Sequence, residues 1–290
     1  MRMRRIVLAV LGGLLATVPA RAAVGVKVAI PGRGGVTLSG LAFYPEGEGP
    51  FPGIVALHGC GGLLTKSGRL LSRETDWADR LVAAGYAVVF PDSFNPRGYA
   101  SVCDLRERPV LPERERVRDA YDTLAWFEKN PRVRPDAIAL MGWSHGAMTG
   151  LWVMATDSPG RIAGLPHDFA GAVLFYPGCA QAARQRPTYG SIAPMLMQLG
   201  AEDQWTPAKS CVRLMEGMRQ RGDKVSTYDL YPGAVHGFDQ PKGEVHERRV
   251  RNSIYAGGEK VVRVGRDPAA GAQAIPRAMA WLGMVLREGR

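Results

Sequence analysis

Apolar runs alternate with amphipathic stretches along most of this chain. Val24–Ile30 and Val36–Tyr44 read as two early strands separated by Gly32-Arg33-Gly34-Gly35, a glycine-rich hairpin turn. Gly53–Leu57 and Tyr86–Phe90 are short continuous apolar runs, the pattern a parallel strand buried on both faces requires. Between them Glu74–Ala84 carries Trp77, Leu81 and Val82 at helical spacing and stops at Gly85. Another helix opens at Pro112, has a charged start over Glu113–Arg118, sets Val117, Ala120, Tyr121, Leu124 and Ala125 on one face, and ends near Asn130-Pro131. Ala137–Met141 predicts the next buried strand and His145–Ala155 its helix. Gly171–Tyr176, Pro194–Leu199 and Val225–Tyr231 predict three more strands, and Pro207–Arg221 a helix closed by Gly222. Asp267–Leu286 is the last helix, with Gly271 and Pro276 making its first half irregular, and residues 240–266 carry no clear period.

Strands alternating with helices of this length predict an α/β chain with a mostly parallel central sheet and helices on both faces. Right-handed crossovers then place every strand-to-helix loop at the carboxyl edge of the sheet, where ligands bind in open α/β folds. His58–Gly62, Asp92–Leu111, Ser144, Asp203 and His236 all fall in such loops. The Asp92–Leu111 loop is long enough to suggest a function. No internal repeat or linker is visible, so residues 23–290 read as a single domain.

The first 22 residues stand apart. Arg2, Arg4 and Arg5 precede an apolar stretch, Ile6–Val18, and Ala20-Arg21-Ala22 is a small-x-small cleavage site, the pattern of a secretory signal peptide. The apolar stretch spans 13 residues, short of the roughly 20 that cross a bilayer. No lipobox cysteine is present, so the expectation is a periplasmic or secreted protein without stable membrane insertion after cleavage. Cleavage would remove four arginines and no acid, taking the formal charge from +10 to +6. Arg248, Arg249, Arg251, Lys260 and Arg263 form a denser basic group; it reads as a solvated loop or as a patch for anionic polymers. No nucleic-acid-binding motif is found. The chain has four cysteines, and in an exported protein an even number implies disulfides. Of the three possible connectivities, Cys60–Cys103 with Cys179–Cys211 is expected, because each pair joins loops at neighbouring strand ends. None has the close C-x-x-C spacing of a zinc site, so no metal is expected.

The chemistry centres on Gly142-Trp143-Ser144-His145-Gly146, which directly follows an apolar strand. It fits the G-x-S-x-G nucleophile elbow, a sharp strand-to-helix turn that lifts a serine hydroxyl clear of the backbone beside a base. Asp203 and His236 follow in the Ser…Asp…His order of α/β-hydrolases. These residues, with Gly200-Ala201-Glu202-Asp203, Pro207, His236-Gly237-Phe238 and the closing Asp267-Pro268-Ala269-Ala270 helix, resemble the dienelactone hydrolase family over most of residues 36–286. The resemblance implies an α/β-hydrolase fold and hydrolysis of a small-molecule ester or lactone without a cofactor. Two departures concern the substrate. The namesake enzymes carry a cysteine nucleophile where this chain has Ser144. They carry a glutamate in the loop where this chain has His58-Gly59-Cys60-Gly61-Gly62, which is more like the loop of serine esterases and lipases.

In this reading Ser144 is the nucleophile, His236 the general base and then acid, and Asp203 the acceptor that orients His236, with Glu202 and Asp239 as rivals. The backbone N–H groups of Cys60 and His145 are candidates for the oxyanion hole. Trp143, Trp205 and Phe238 neighbour the catalytic residues and are candidates for an acyl pocket, core packing being the alternative for Trp143. Arg97 could grip a substrate carboxylate or form a structural ion pair, and Asp92 is equally ambiguous. His58 and His145 are read as loop supports rather than metal ligands. Peptidase, polyester-type esterase and acyl-transfer activities remain open alternatives, as does a non-catalytic binding protein of the same fold.

Overall fold

In the computed structural model, residues 23–253 and 258–287 are described; the proposed signal peptide lies outside them. Eight strands form one sheet: β1 (Val26–Pro31), β2 (Thr37–Phe43), β3 (Phe51–Leu57), β4 (Ala87–Asp92), β5 (Val133–Trp143), β6 (Ala172–Phe175), β7 (Met195–Gly200) and β8 (Thr227–Tyr231). Their order is β1-β2-β4-β3-β5-β6-β7-β8. The β1–β2 hairpin and the β2–β4 pair are antiparallel, and every pairing from β4 to β8 is parallel.

Alternation of side chains explains why the parallel strands read as unbroken apolar runs. Val55 and Leu57 of β3, Leu140 of β5 and Leu174 of β6 point to one face, where α2 (Val117–Phe127), α3 (His145–Met154) and α5 (Ala208–Gln220) pack. Ile54, Ala56, Met141 and Phe175 point to the other, against α1 (Ser72–Ala83) and α6 (Pro268–Arg287). Both faces are covered, so both parities must be apolar. A further short helix, α4, spans Ala180–Gln185.

Two helices differ from expectation. The last helix is continuous: Asp267 caps it, its Oδ1 accepting the Ala269 and Ala270 N–H groups at 3.0 Å each. Pro276 sits on the exposed side, while Ala274, Ala278, Trp281 and Leu282 anchor the buried side. Tertiary packing therefore overrides the local penalty for Gly271 and Pro276. The helix expected from Pro112 begins instead as a π-helical turn, Pro112–Arg116, that runs into α2.

Residues 240–266 contain an antiparallel hairpin of β9 (His246–Ser253) and β10 (Gly258–Val264). Its inward Val250, Val262 and Val264 pack with Phe94, Val102, Val110 and Trp205 over the Cys60–Cys103 disulfide. The basic group is solvated as expected but is not a loop: it is carried on strands, with Arg249, Arg251 and Arg263 exposed, Arg248 reaching Asp104 and Arg249 reaching Glu259. The second disulfide joins Cys179 to Cys211, so both bonds match the expected pairing. No described helix is long and apolar enough to cross a membrane.

Candidate active site

Ser144 lies in the turn between β5 and α3 with φ of 51°, a left-handed conformation that a non-glycine residue adopts only under strain. The flanking glycines are required by space. A Cβ at Gly142 would lie 2.7 Å from the Gly146 carbonyl carbon, and one at Gly146 would lie 2.0 Å from the Leu57 oxygen. The turn is pinned by Ser144 N–H donating to the Phe175 carbonyl at 2.9 Å.

His236, in the loop after β8, brings Nε2 to 2.9 Å from Ser144 Oγ and Nδ1 to 2.8 Å from Asp203 Oδ2. A carboxylate only accepts, so Nδ1 carries the proton and Nε2 is left to accept from the serine hydroxyl. Asp203 is itself fixed: its Oδ1 accepts the Trp205 and Thr206 N–H groups at 2.8 Å each, and Thr206 Oγ1 lies 2.8 Å from Oδ2. Tyr176 and Trp205 hold the His236 ring between them, at centroid distances of 4.6 and 4.8 Å.

The two rival acids lie elsewhere. Glu202 is exposed. Asp239 is buried on the far side of Tyr176, accepting Trp77 Nε1 at 3.0 Å, Trp143 Nε1 at 2.8 Å and the Tyr176 hydroxyl at 2.6 Å.

A cavity of about 390 Å³ opens over Ser144 and His236, walled by the Gly59–Gly62 loop, Arg73, Tyr176, Trp205 and, from the hairpin, Arg248 and Val264. Trp205 is the one residue of the expected substrate set that lines it. Trp143 is fully buried, its indole committed to Asp239 and stacked beside Phe175. Phe238 is likewise buried, against Phe175, Tyr176 and Tyr231. Proximity in sequence to Ser144 or His236 misleads here, because the neighbouring Trp143 and Phe238 side chains point into the sheet core. Arg97 is a structural ion pair, bidentate to Asp119 at 2.9 and 2.8 Å. Asp92 accepts the Phe94 and Asn95 N–H groups and so shapes its own loop.

Arg73 and Tyr176 belong to no motif of the sequence. Tyr176 directly follows β6, the position at which side chains reach the carboxyl edge, and its φ of 40° is a second strained non-glycine turn beside the cavity. Arg73 pairs with buried Glu74, lies 3.3 Å from the Tyr176 hydroxyl and sits 5.2 Å from the Trp143 ring centroid.

The oxyanion candidates are adjacent. His145 is the first residue of α3, so its N–H has no acceptor within the helix. Cys60 lines the cavity with Ser144, and a Cβ at Gly59 would lie 3.9 Å from Ser144 Cβ. The Cys60 carbonyl accepts Val102 N–H at 2.9 Å, and its sulfur is bonded to Cys103, which fixes the loop on both sides.

His58 and His145 support these loops. His58 Nδ1 holds the Gly59 carbonyl at 2.8 Å and Nε2 accepts Ser93 N–H at 3.2 Å; His145 Nδ1 lies 2.8 Å from the Arg116 guanidinium. Burial, reinforced by the Arg116 charge, holds both imidazoles well below the ordinary histidine pKa. Both stay neutral in the folded protein while the unfolded chain takes up protons below about pH 6.5, so stability falls as pH falls. Each histidine contributes up to about 1.4 kcal/mol per pH unit in that range. Urea midpoints measured from pH 7 to 5 are expected to drop accordingly; a flat profile would remove this account of the two side chains.

A family profile described as the dienelactone hydrolase family matches residues 38–286. Among curated proteins, acyl-coenzyme A amino acid N-acyltransferase 2 of Mus musculus is 26% identical over 245 residues, which is 71% of this chain and 53% of that protein. The chain thus spans about half the length of that relative. Among solved structures, a Klebsiella pneumoniae subsp. pneumoniae protein assigned to the dienelactone hydrolases superposes with a TM-score of 0.65 at 17% identity, covering 91% of this chain and 99% of that one. Esterase 2 of Thermogutta terrifontis, phosphorylated by paraoxon, superposes with a TM-score of 0.64 at 17% identity, covering 90% and 94%. At such identities the superpositions show a common fold.

Proposed function

Because the chain belongs to the dienelactone hydrolase family, we propose that it is a serine hydrolase cleaving carboxylic ester or lactone bonds through an acyl-enzyme on Ser144. The observation that carries this reading is the hydrogen-bonded path from Ser144 Oγ through His236 to Asp203, at 2.9 and 2.8 Å. His236 Nε2 takes the serine proton as Oγ attacks the ester carbonyl, and Asp203 stabilises the imidazolium that forms. The Cys60 and His145 N–H groups donate to the tetrahedral oxyanion, a donor of this kind supplying about 3–4 kcal/mol. Collapse expels the alcohol, which takes the proton from His236. Water, activated by the same imidazole, then releases the acid. A cavity of about 390 Å³ suits a small ester or lactone.

Export completes the proposal. Residues 1–22 act as a signal peptide, residues 23–290 form the single mature domain, and the two disulfides suit an oxidising compartment.

Mature protein treated with a fluorophosphonate is expected to gain one adduct, mapped to Ser144 by mass spectrometry, and the His236→Ala variant to gain almost none. A folded sample that takes no label would instead support a binding protein without catalysis. Matched ester and amide substrates separate esterase from peptidase. The mouse acyltransferase relative supports a second reading, transfer of the acyl group to an amine. Under that reading an added amine competes with water for the acyl-enzyme and an N-acyl product accumulates.

A further inference from the structure

Arg116 takes no part in the steps above, yet it is one of the largest fully buried side chains of the protein. It ends the π-helical turn Pro112–Arg116, which packs against α3. Turns of this kind are rare in helices and recur at functional sites. Its guanidinium donates to His145 Nδ1 at 2.8 Å and lies 5.1 Å from the Phe94 ring centroid. Phe94 in turn packs edge-on against His58 at 4.6 Å and His145 at 5.8 Å. His58 opens the Gly59–Gly62 loop and His145 follows the nucleophile. The guanidinium therefore touches one of the two segments that carry the candidate oxyanion donors directly, at His145, and reaches the other, at His58, through the Phe94 ring.

The charge is not cancelled by an ion pair of its own. Among the described residues no carboxylate oxygen lies within 4.0 Å of it, and Nε and one terminal nitrogen have no hydrogen-bond partner. The two nearest acids are otherwise engaged: both oxygens of Asp119 hold Arg97, and Asp92 holds the Phe94 and Asn95 amides. Asp119, Asp92, Arg97 and Arg108 act on Arg116 only through the field between them. Burying a cation this way is unfavourable, and an apolar side chain of similar length would pack with less penalty. Packing alone thus gives no reason for arginine here. His145 cannot supply the charge, since its Nδ1 accepts from Arg116 and the ring stays neutral.

We propose that Arg116 is a positioning residue of the oxyanion hole: it braces His145 and, through Phe94, His58, and holds a buried positive charge behind the two donor N–H groups. The proposal rests on the serine-hydrolase reading of this site. A fixed cation in a poorly solvated interior favours the negatively charged tetrahedral intermediate over the neutral ester, so its effect falls on kcat rather than KM.

Arg116→Met and Arg116→Lys separate charge from packing. Kinetics on a short neutral ester are read beside inhibition by an arylboronic acid. That inhibitor forms a B–O bond with Ser144 Oγ, passes the serine proton to His236 and leaves an anionic tetrahedral boronate. Arg116→Met is expected to lower kcat by about ten- to a hundred-fold with KM changed less than about two-fold, and to raise the boronate Ki by the same factor as the loss in kcat/KM. Its melting temperature should match or exceed that of the parent. Arg116→Lys should recover most of kcat and of boronate affinity. Wild-type kinetics in Arg116→Met, or equal damage in the methionine and lysine variants, overturns the proposal. If the methionine variant does not fold, Arg116→Gln takes its place in the comparison. A parent protein that neither turns over esters nor binds the boronate defeats the serine-hydrolase reading, and this proposal with it. An active parent with an indifferent Arg116 defeats this proposal alone.

Discussion

Replacing Ser144 by alanine is expected to lower kcat/KM for a short ester by a factor on the order of 10⁵ with the fold intact, because the atom removed is the proposed nucleophile and sits at the cavity rather than in the core. Ser144 Oγ makes one described hydrogen bond, to His236, and borders the cavity, so its loss leaves an imidazole nitrogen facing solvent rather than an orphan in the core. Alanine keeps a Cβ and meets the same backbone strain at φ of 51° as serine. The melting temperature should therefore move little. His236→Ala should cost about as much activity, and the double variant hardly more than either alone, since nucleophile and base act as a unit. A residual rate, about 10³-fold above uncatalysed hydrolysis, should persist from oxyanion stabilisation and binding. The measurement is turnover of a chromogenic acetate by purified protein, with circular dichroism to establish folding. Full activity in Ser144→Ala would end the assignment of the nucleophile; a parent no more active than Ser144→Ala would favour a binding protein.

The parts of this molecule that can be read from its sequence share a physical cause. Parallel strands covered on both faces need apolar side chains at both parities, so β3, β4, β6 and β7 announce themselves as continuous runs. The elbow is legible because its two glycines answer to contacts of 2.0–2.7 Å that no other residue tolerates. The β9–β10 hairpin is invisible for the opposite reason. Among the described residues its buried inward positions are Val250, Val262 and Val264, set among Arg248, Arg249, Lys260 and Arg263, and the surface they cover is built by the distant Asp92–Leu111 loop and a disulfide. No local period can report a partner that far away in the chain. The cavity walls are hidden on the same grounds. Trp143 and Phe238 neighbour Ser144 and His236 in sequence but face the sheet core, whereas Arg73 and Arg248 reach the cavity from elements with no motif.

Asp203→Asn tests the third member of the proposed relay and is expected to lower kcat on the order of 10⁴-fold, the loss found when a triad acid becomes its amide. The hydrogen bonds around Asp203 dictate how asparagine must sit. The Trp205 and Thr206 N–H groups, each 2.8 Å from Oδ1, require an oxygen there, which turns the amide nitrogen toward His236 at the Oδ2 position. That nitrogen donates to Nδ1, so the imidazole proton moves to Nε2, where it faces Ser144 and cannot accept the hydroxyl proton. The variant should fold normally and fail for want of the right tautomer. Asp239→Asn provides the contrast. Two indole N–H groups meet one oxygen of Asp239 and the Tyr176 hydroxyl meets the other, so asparagine can keep its oxygen toward the indoles while its nitrogen donates to the tyrosine. The charge is lost from a buried network, which costs about 1–3 kcal/mol of stability, but His236 keeps its partner and kcat should stay within about tenfold of the parent. Glu202→Gln, on an exposed side chain, should change neither quantity. Should Asp239→Asn abolish turnover at an unchanged melting temperature while Asp203→Asn remains active, the acid belongs to Asp239, and the 2.8 Å contact between Asp203 and His236 has a purely structural role.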